Sequence, residues 1–143
     1  RPVNAFVAGF IGSPGMNLFV APVVDGVITV SGAAVDIDAE AQAALRRSGL
    51  ESVVVGIRPE HLALSDSGTG LNADVALLEE LGSETYIYAN LADDSVRNLD
   101  GDPMVMVARS AERSPAKRGE GIRLRQSDSA VHLFDPSTGD RIN

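Results

Sequence analysis

The apolar positions of this chain form one short helical stripe, followed by a series of short β-type runs. Val3, Phe6, Val7, Phe10 and Ile11 recur at the spacing of a single helix face, with Pro2 suited to the first turn and Gly12 and Pro14 placed to stop it. A helix of about ten residues is marginal alone, so this stripe is expected to pack on another element. From Met16 the pattern shortens. Asn17 to Val24, Val27 to Ser31 and Ser52 to Arg58 read as strands, the first two joined by a turn at Asp25-Gly26. A weaker helix lies before the third strand. Asp36 or Asp38 is placed to cap it, Glu40 sits in its first turn, Arg46 and Arg47 sit in its last, and Gly49 lies past its end.

A Ser/Gly loop at Ser65 to Gly70 reads as a seam between two sub-barrels, after which strands resume at Leu71 to Leu81 and Glu84 to Leu91. In the second of these, Tyr86 and Tyr88 share one face while Thr85, Ile87, Ala89 and Leu91 share the other. Both faces are partly apolar, which predicts a strand that is central or lies at an interface. A turn at Asp100 to Pro103 precedes a strand from Met104 to Arg109, and Ser110 to Gly119 is a polar loop. Runs at Gly121 to Gln126 and Ala130 to Phe134 lead into a closing turn at Asp135 to Gly139. Many short strands with one or two peripheral helices predict a mainly β fold, an OB-like antiparallel barrel, single or tandem. Edge strands in such a barrel invite pairing with a second copy.

Composition narrows the functions open to this fold. At 143 residues and 44% hydrophobic content the chain is long and apolar enough to bury a core. With four Phe, two Tyr and no Trp, that core must come from Val, Leu, Ile and Ala. Twelve basic against twenty acidic residues leave a net charge of −8, which repels phosphate backbones and anionic membranes. An OB face that stacks single-stranded nucleic acid needs a basic groove with aromatics, and Tyr86 with Tyr88 is the one such pair in an acidic chain. The absence of cysteine excludes disulfides and thiolate chemistry. No apolar run approaches the ~20 residues of a spanning helix. The start at Arg1, without Met or a leader, reads as a piece of a longer protein.

Catalytic signatures do not assemble. A P-loop needs a Gly-Lys-Ser/Thr ending, whereas the only lysine, Lys117, is followed by Arg118 and Gly119. Gly68-Thr69-Gly70-Leu71-Asn72-Ala73 has the letters of a dinucleotide fingerprint but precedes a strand, the wrong order for that device. His61 and His132 lie 71 positions apart with no carboxylate at zinc-like spacing. Glu79 and Glu80 are adjacent, so on a strand they point to opposite faces and cannot act as a pair. These features predict no catalytic residue, no metal site and no cofactor site in the chain.

The stretch Gly56-Ile57-Arg58-Pro59-Glu60-His61-Leu62 stands apart from the generic pattern. Pro59 fixes its own φ, lacks an N–H and pushes Arg58 towards extended geometry, so strand pairing is expected to stop near Arg58. Arg58, Glu60 and His61 then project from a stiff corner. Its bland reading is structural, with Arg58 paired to a carboxylate and His61 satisfying a loop carbonyl; its functional reading is a docking or signalling corner.

Phe6 to Pro14 with Met16-Asn17, Gly56 to Leu62, Glu80-Leu81-Gly82 followed by Glu84-Thr85, and His132-Leu133-Phe134-Asp135 form an ordered set. That set resembles the C-terminal part of ATP-binding subunits of bacterial carbohydrate ABC importers, of the maltose (MalK) and glycerol-3-phosphate type. The resemblance implies a linker helix at residues 1–15 from an ATPase domain, then a TOBE/OB-like regulatory domain at 16–143. It also implies a non-catalytic module that pairs with a second copy. The module would reach the membrane subunits through the ATPase domain, which holds ATP and Mg, and would present a surface to a cytoplasmic regulator at the inner face of the membrane. Arg58, Glu60, His61, Glu84, His132, Phe134 and Asp135 are the candidate regulatory or interface residues. Because related TOBE and Mop folds bind oxyanions, the alternative implied is a sensor of an oxyanion or phosphate ester near Arg58 or Arg109.

Overall fold

The computed structural model describes residues 15–65, 68–110, 116–127 and 131–143. The helix expected over residues 2–11 lies outside the described residues, as does the middle of the polar loop after Ser110. Two antiparallel sheets share one core. The first has the order β11-β4-β1-β2-β3, with β1 Asn17–Val24, β2 Val27–Val30, β3 Ala33–Ala34, β4 Ser52–Ile57 and β11 His132–Phe134. A two-residue strand, β8 Arg97–Asn98, also pairs with β1. The second sheet has the order β5-β10-β6-β7-β9, with β5 Leu62–Leu64, β6 Leu71–Glu80, β7 Thr85–Leu91, β9 Val105–Ser110 and β10 Gly121–Gln126. Its two outer strands, β5 and β9, touch each other, so this sheet curls into a nearly closed barrel.

Turn chemistry sets the first sheet. Asp25-Gly26 and Ser31-Gly32 all have positive φ, the geometry of two-residue hairpins. The second strand therefore ends at Val30, and Ser31, read from sequence as its last residue, belongs to the following turn. The helix α1, Ala39–Ser48, forms as its caps predict: the Asp38 carboxylate accepts from the Ala41 N–H at 2.8 Å and Gly49 closes it in the left-handed conformation. Ala41 and Leu45 bury its inner face in the core.

The change of sheet comes earlier than the Ser65 to Gly70 loop. β4 belongs to the first sheet and β5 to the second, so the chain crosses over at the proline corner between them. β11 then returns to pair with β4, matching His132 to Gly56 and Phe134 to Val54. Phe19, Val53, Val55 and Ile57 from the first sheet and Leu71, Ile87, Met106 and Leu124 from the second are all buried in one core. β7 is central between β6 and β9, which accounts for the two apolar faces read from its sequence.

Candidate functional site

Three of the sequence motifs, around Met16, Gly56 and Phe134, converge on the first sheet, while Glu80 to Thr85 lies at the β6–β7 turn of the second. On the face turned away from the main core, Met16, Leu18, Val54 and Phe134 form a second buried cluster, with Val20 packed against it. Gly56 lies beneath it. A Cβ at that position would stand 2.6 Å from Met16 Sδ and 3.2 Å from both Leu18 Cδ2 and Phe134 Cε2, so the glycine is required by packing rather than by φ. Three stretches far apart in sequence, around Met16, Gly56 and Phe134, thus meet as one packed unit.

Asn17, beside Met16, points the other way and joins the two sheets. Its amide nitrogen donates to Ile57 O and to Val107 O, both at 2.9 Å, and its Oδ1 accepts from the Val107 N–H at 2.7 Å. The side chain imitates a neighbouring strand for β9, an outer strand of the second sheet, while its backbone pairs within the first. At 3% exposure it is one of the few buried polar residues, and it is fully used. Sequence reading placed Asn17 in a motif but gave it no role. The available signal was a residue of low strand propensity at the start of an apolar strand.

A second link joins the far ends of the sheets. Asp93, after β7, accepts from the Ser31 N–H at 2.7 Å, and the Ser31 hydroxyl donates to Ala92 O at 3.1 Å. Burial opposes ionisation of Asp93. Hydrogen bonds from the Ser95 hydroxyl and from the Ser31 and Ser95 N–H groups outweigh it and hold the carboxyl below its ordinary range.

The seven residues singled out from sequence do not form one site. Arg58 is half-buried, Pro59–His61 makes a single 3-10 turn packed against β9, and Glu60 is exposed at its tip. The His61 N–H donates to Arg58 O, and His61 O accepts from the Ser127 N–H at 3.1 Å. His61 Nδ1 is buried with no hydrogen-bond partner among the described residues. His132 is half-buried on β11. Phe134 is fully buried, a position that locks the fold. Asp135 caps the closing turn by accepting from the Ser137 N–H at 2.7 Å. Glu84 stands elsewhere, 3.8 Å from Arg109 across partly exposed side chains, a weak pair. No group of three or more metal-ligating side chains gathers among the described residues.

The second sheet presents a surface that sequence reading did not locate. A β-bulge between Val75 and Leu77 shifts the alternation of β6, so Leu77 turns outward although Val75, two residues earlier, is buried. Leu77 then stands opposite Tyr88, and Tyr88 opposite Val107, making an apolar row across three strands. Leu77 is 51% exposed, and neighbouring Val105 and Leu99 are 42% and 47% exposed. Burial, then Glu79 and then Tyr86 push the Tyr88 hydroxyl above its ordinary pKa, so this face carries a neutral phenol at physiological pH. A shallow groove beside it is lined by Met16, Leu99, Pro103, Val105 and Val107. No helix among the described residues is long and apolar enough to cross a membrane.

Comparison with known proteins matches this architecture in two overlapping pieces: the MalK OB fold domain at residues 12–62 and the TOBE domain at residues 55–134. Their overlap covers the corner where the chain changes sheets. Among similar proteins, the diacetylchitobiose uptake system ATP-binding protein MsiK of Streptomyces coelicolor is 31% identical over 99% of this chain and 40% of its own length. The sn-glycerol-3-phosphate import ATP-binding protein UgpC 2 of Agrobacterium fabrum is 37% identical, and an uncharacterized ABC transporter ATP-binding protein of Sinorhizobium fredii is 41% identical, each over 99% of this chain and 35% of its own length. The chain thus spans well under half of the relatives it matches. It belongs to the TOBE domain family, as a MalK-type OB fold that runs through the Gly56 to Leu62 corner into a TOBE domain.

Proposed function

We propose that this chain is the non-catalytic regulatory and dimerisation module of the ATP-binding subunit of an ABC importer for sugars or glycerol-3-phosphate. The observation that carries the reading is the apolar row Leu77, Tyr88 and Val107, flanked by exposed Val105. It has the make-up of a protein interface: an apolar centre containing Tyr, with Glu79, Asn90 and Arg109 at its rim. The partner is a second copy of the chain. Met16 and Asn17 border the groove beside this row. A subunit built this way keeps ATP and Mg in its ATPase domain, contacts the membrane subunits there, and works at the inner face of the membrane. Glu60, at the tip of the corner, is the side chain of that motif most open to a cytoplasmic regulator.

Sedimentation velocity over a concentration series tests the reading. The expected result is a weight-average mass that climbs from monomer towards dimer. A mass that stays at the monomer value up to millimolar chain removes the dimerisation role.

A further inference from the structure

An open cavity of about 730 Å³ lies beside β6 and β10 of the second sheet. Its volume falls within the range of small-molecule sites, roughly 300–1,000 Å³. Asn72, Asp74, Glu120 and Arg123 supply its polar lining, and Leu64 and Ile122 supply apolar surface. Arg123 stands opposite Asn72 and Gly121 opposite Asp74 in the β6–β10 register, so donors and acceptors come from adjacent strands. One Glu120 carboxylate oxygen accepts from the Lys117 N–H at 2.8 Å, which fixes that side chain at the rim.

Gly121 gives the cavity its room. Its φ is outside the left-handed region, and a Cβ there would meet only Asp74 Oδ1, at the ordinary contact distance of 3.5 Å. Neither backbone conformation nor close packing requires glycine at this position. A side chain would project over Asp74 into the space now open.

We propose that this cavity binds a neutral, polyhydroxylated small molecule of the sugar class. The lining offers carboxylates to accept from hydroxyls, a guanidinium and a carboxamide to donate to ring and hydroxyl oxygens, and apolar patches for C–H faces. An anion is disfavoured. Two carboxylates against one guanidinium leave the lining negative, in a chain of net charge −8. The site adjoins the pairing row, since Asp74 stands opposite Asn90, but its test positions Gly121 and Arg123 lie on β10, which does not pair with β7 or β9.

The test is isothermal titration calorimetry of the chain with N,N′-diacetylchitobiose and maltose as neutral probes, and glycerol-3-phosphate and inorganic phosphate as anionic ones. Expected is saturable binding of at least one neutral probe, weakened tenfold or more in Gly121→Val and in Arg123→Ala, with an unchanged melting temperature. If Gly121→Val lowers the melting temperature, the exposed Arg123→Ala decides alone. Absence of heat with both neutral probes, preference for either anion, or neutral-probe binding unaffected by Arg123→Ala would each overturn the proposal.

Discussion

The two sheets fill their inner faces alike and treat their outer faces in opposite ways. The first sheet covers its outer side: Met16, Leu18, Val54 and Phe134 are buried there around Gly56. The second leaves Leu77 and Val105 open to solvent, with Tyr88 and Val107 half-buried between them. Three of the stretches that make the sequence recognisable, around Met16, Gly56 and Phe134, gather on the covered side, whereas Glu80 to Thr85 forms the β6–β7 turn of the second sheet. What identifies the family is thus a packing device, and the exposed row that supports pairing contains none of those motifs. A distinctive motif and a working surface are different things in this molecule.

Removing the covered side is expected to cost the most. Phe134→Ala empties a fully buried aromatic position and should lower unfolding stability by about 3–5 kcal/mol, read by urea denaturation. Asn17→Leu comes next. It leaves Val107 N–H, Val107 O and Ile57 O without their side-chain partner, two of these bonds being only part-buried, and should cost about 1–3 kcal/mol in all. The loss should also appear as faster amide exchange at Val107, where the two sheets are tied. Gly56→Ala forces Met16 and Phe134 apart and should cost about 1–3 kcal/mol by overpacking.

A smaller effect comes from the Ser31–Asp93 link. Because the folded-state pKa of Asp93 is depressed, its contribution is complete above the unfolded-state value and disappears as pH falls through the folded one. Asp93→Asn should therefore flatten the acid side of the stability profile and leave the neutral region nearly unchanged in slope, as measured by thermal melts at stepped pH. Smallest of all is the expected effect of Leu77→Asp on folding, within about 0.5 kcal/mol, because the side chain already faces solvent.

Local structure was legible in the sequence where local rules decide it. Asp38 and Gly49 mark the ends of α1, Asp25-Gly26 makes the hairpin, and Gly121 to Gln126 forms a strand over its whole predicted length. Pro59 stops pairing where its ring and missing N–H require it to. Features that depend on distant partners were not legible. Asn17 bonds to a residue 90 positions away, and Gly56 is explained only by Met16, Leu18 and Phe134, with β1 and β11 pairing on either side of it. The bulge after Val75 interrupts the period-two pattern, so alternation counted along β6 does not reveal that Leu77 faces outward. Ser31 was assigned to a strand because its positive φ is unusual for a residue other than glycine. Of the seven residues singled out, Phe134 proves to be a packing residue. The corner Arg58 to His61 marks the crossing between sheets, a role that follows from pairing partners rather than from its own composition.

The contrast between a covered face and an open one can be tested most directly by sedimentation equilibrium of the Leu77→Asp, Val105→Asp double variant beside the unsubstituted chain. The unsubstituted chain should show concentration-dependent association, and the double variant should remain monomeric at every concentration with an unchanged melting temperature. Equal association in both would contradict the account, because pairing would then use a surface other than the row running from Leu77 through Tyr88 to Val107.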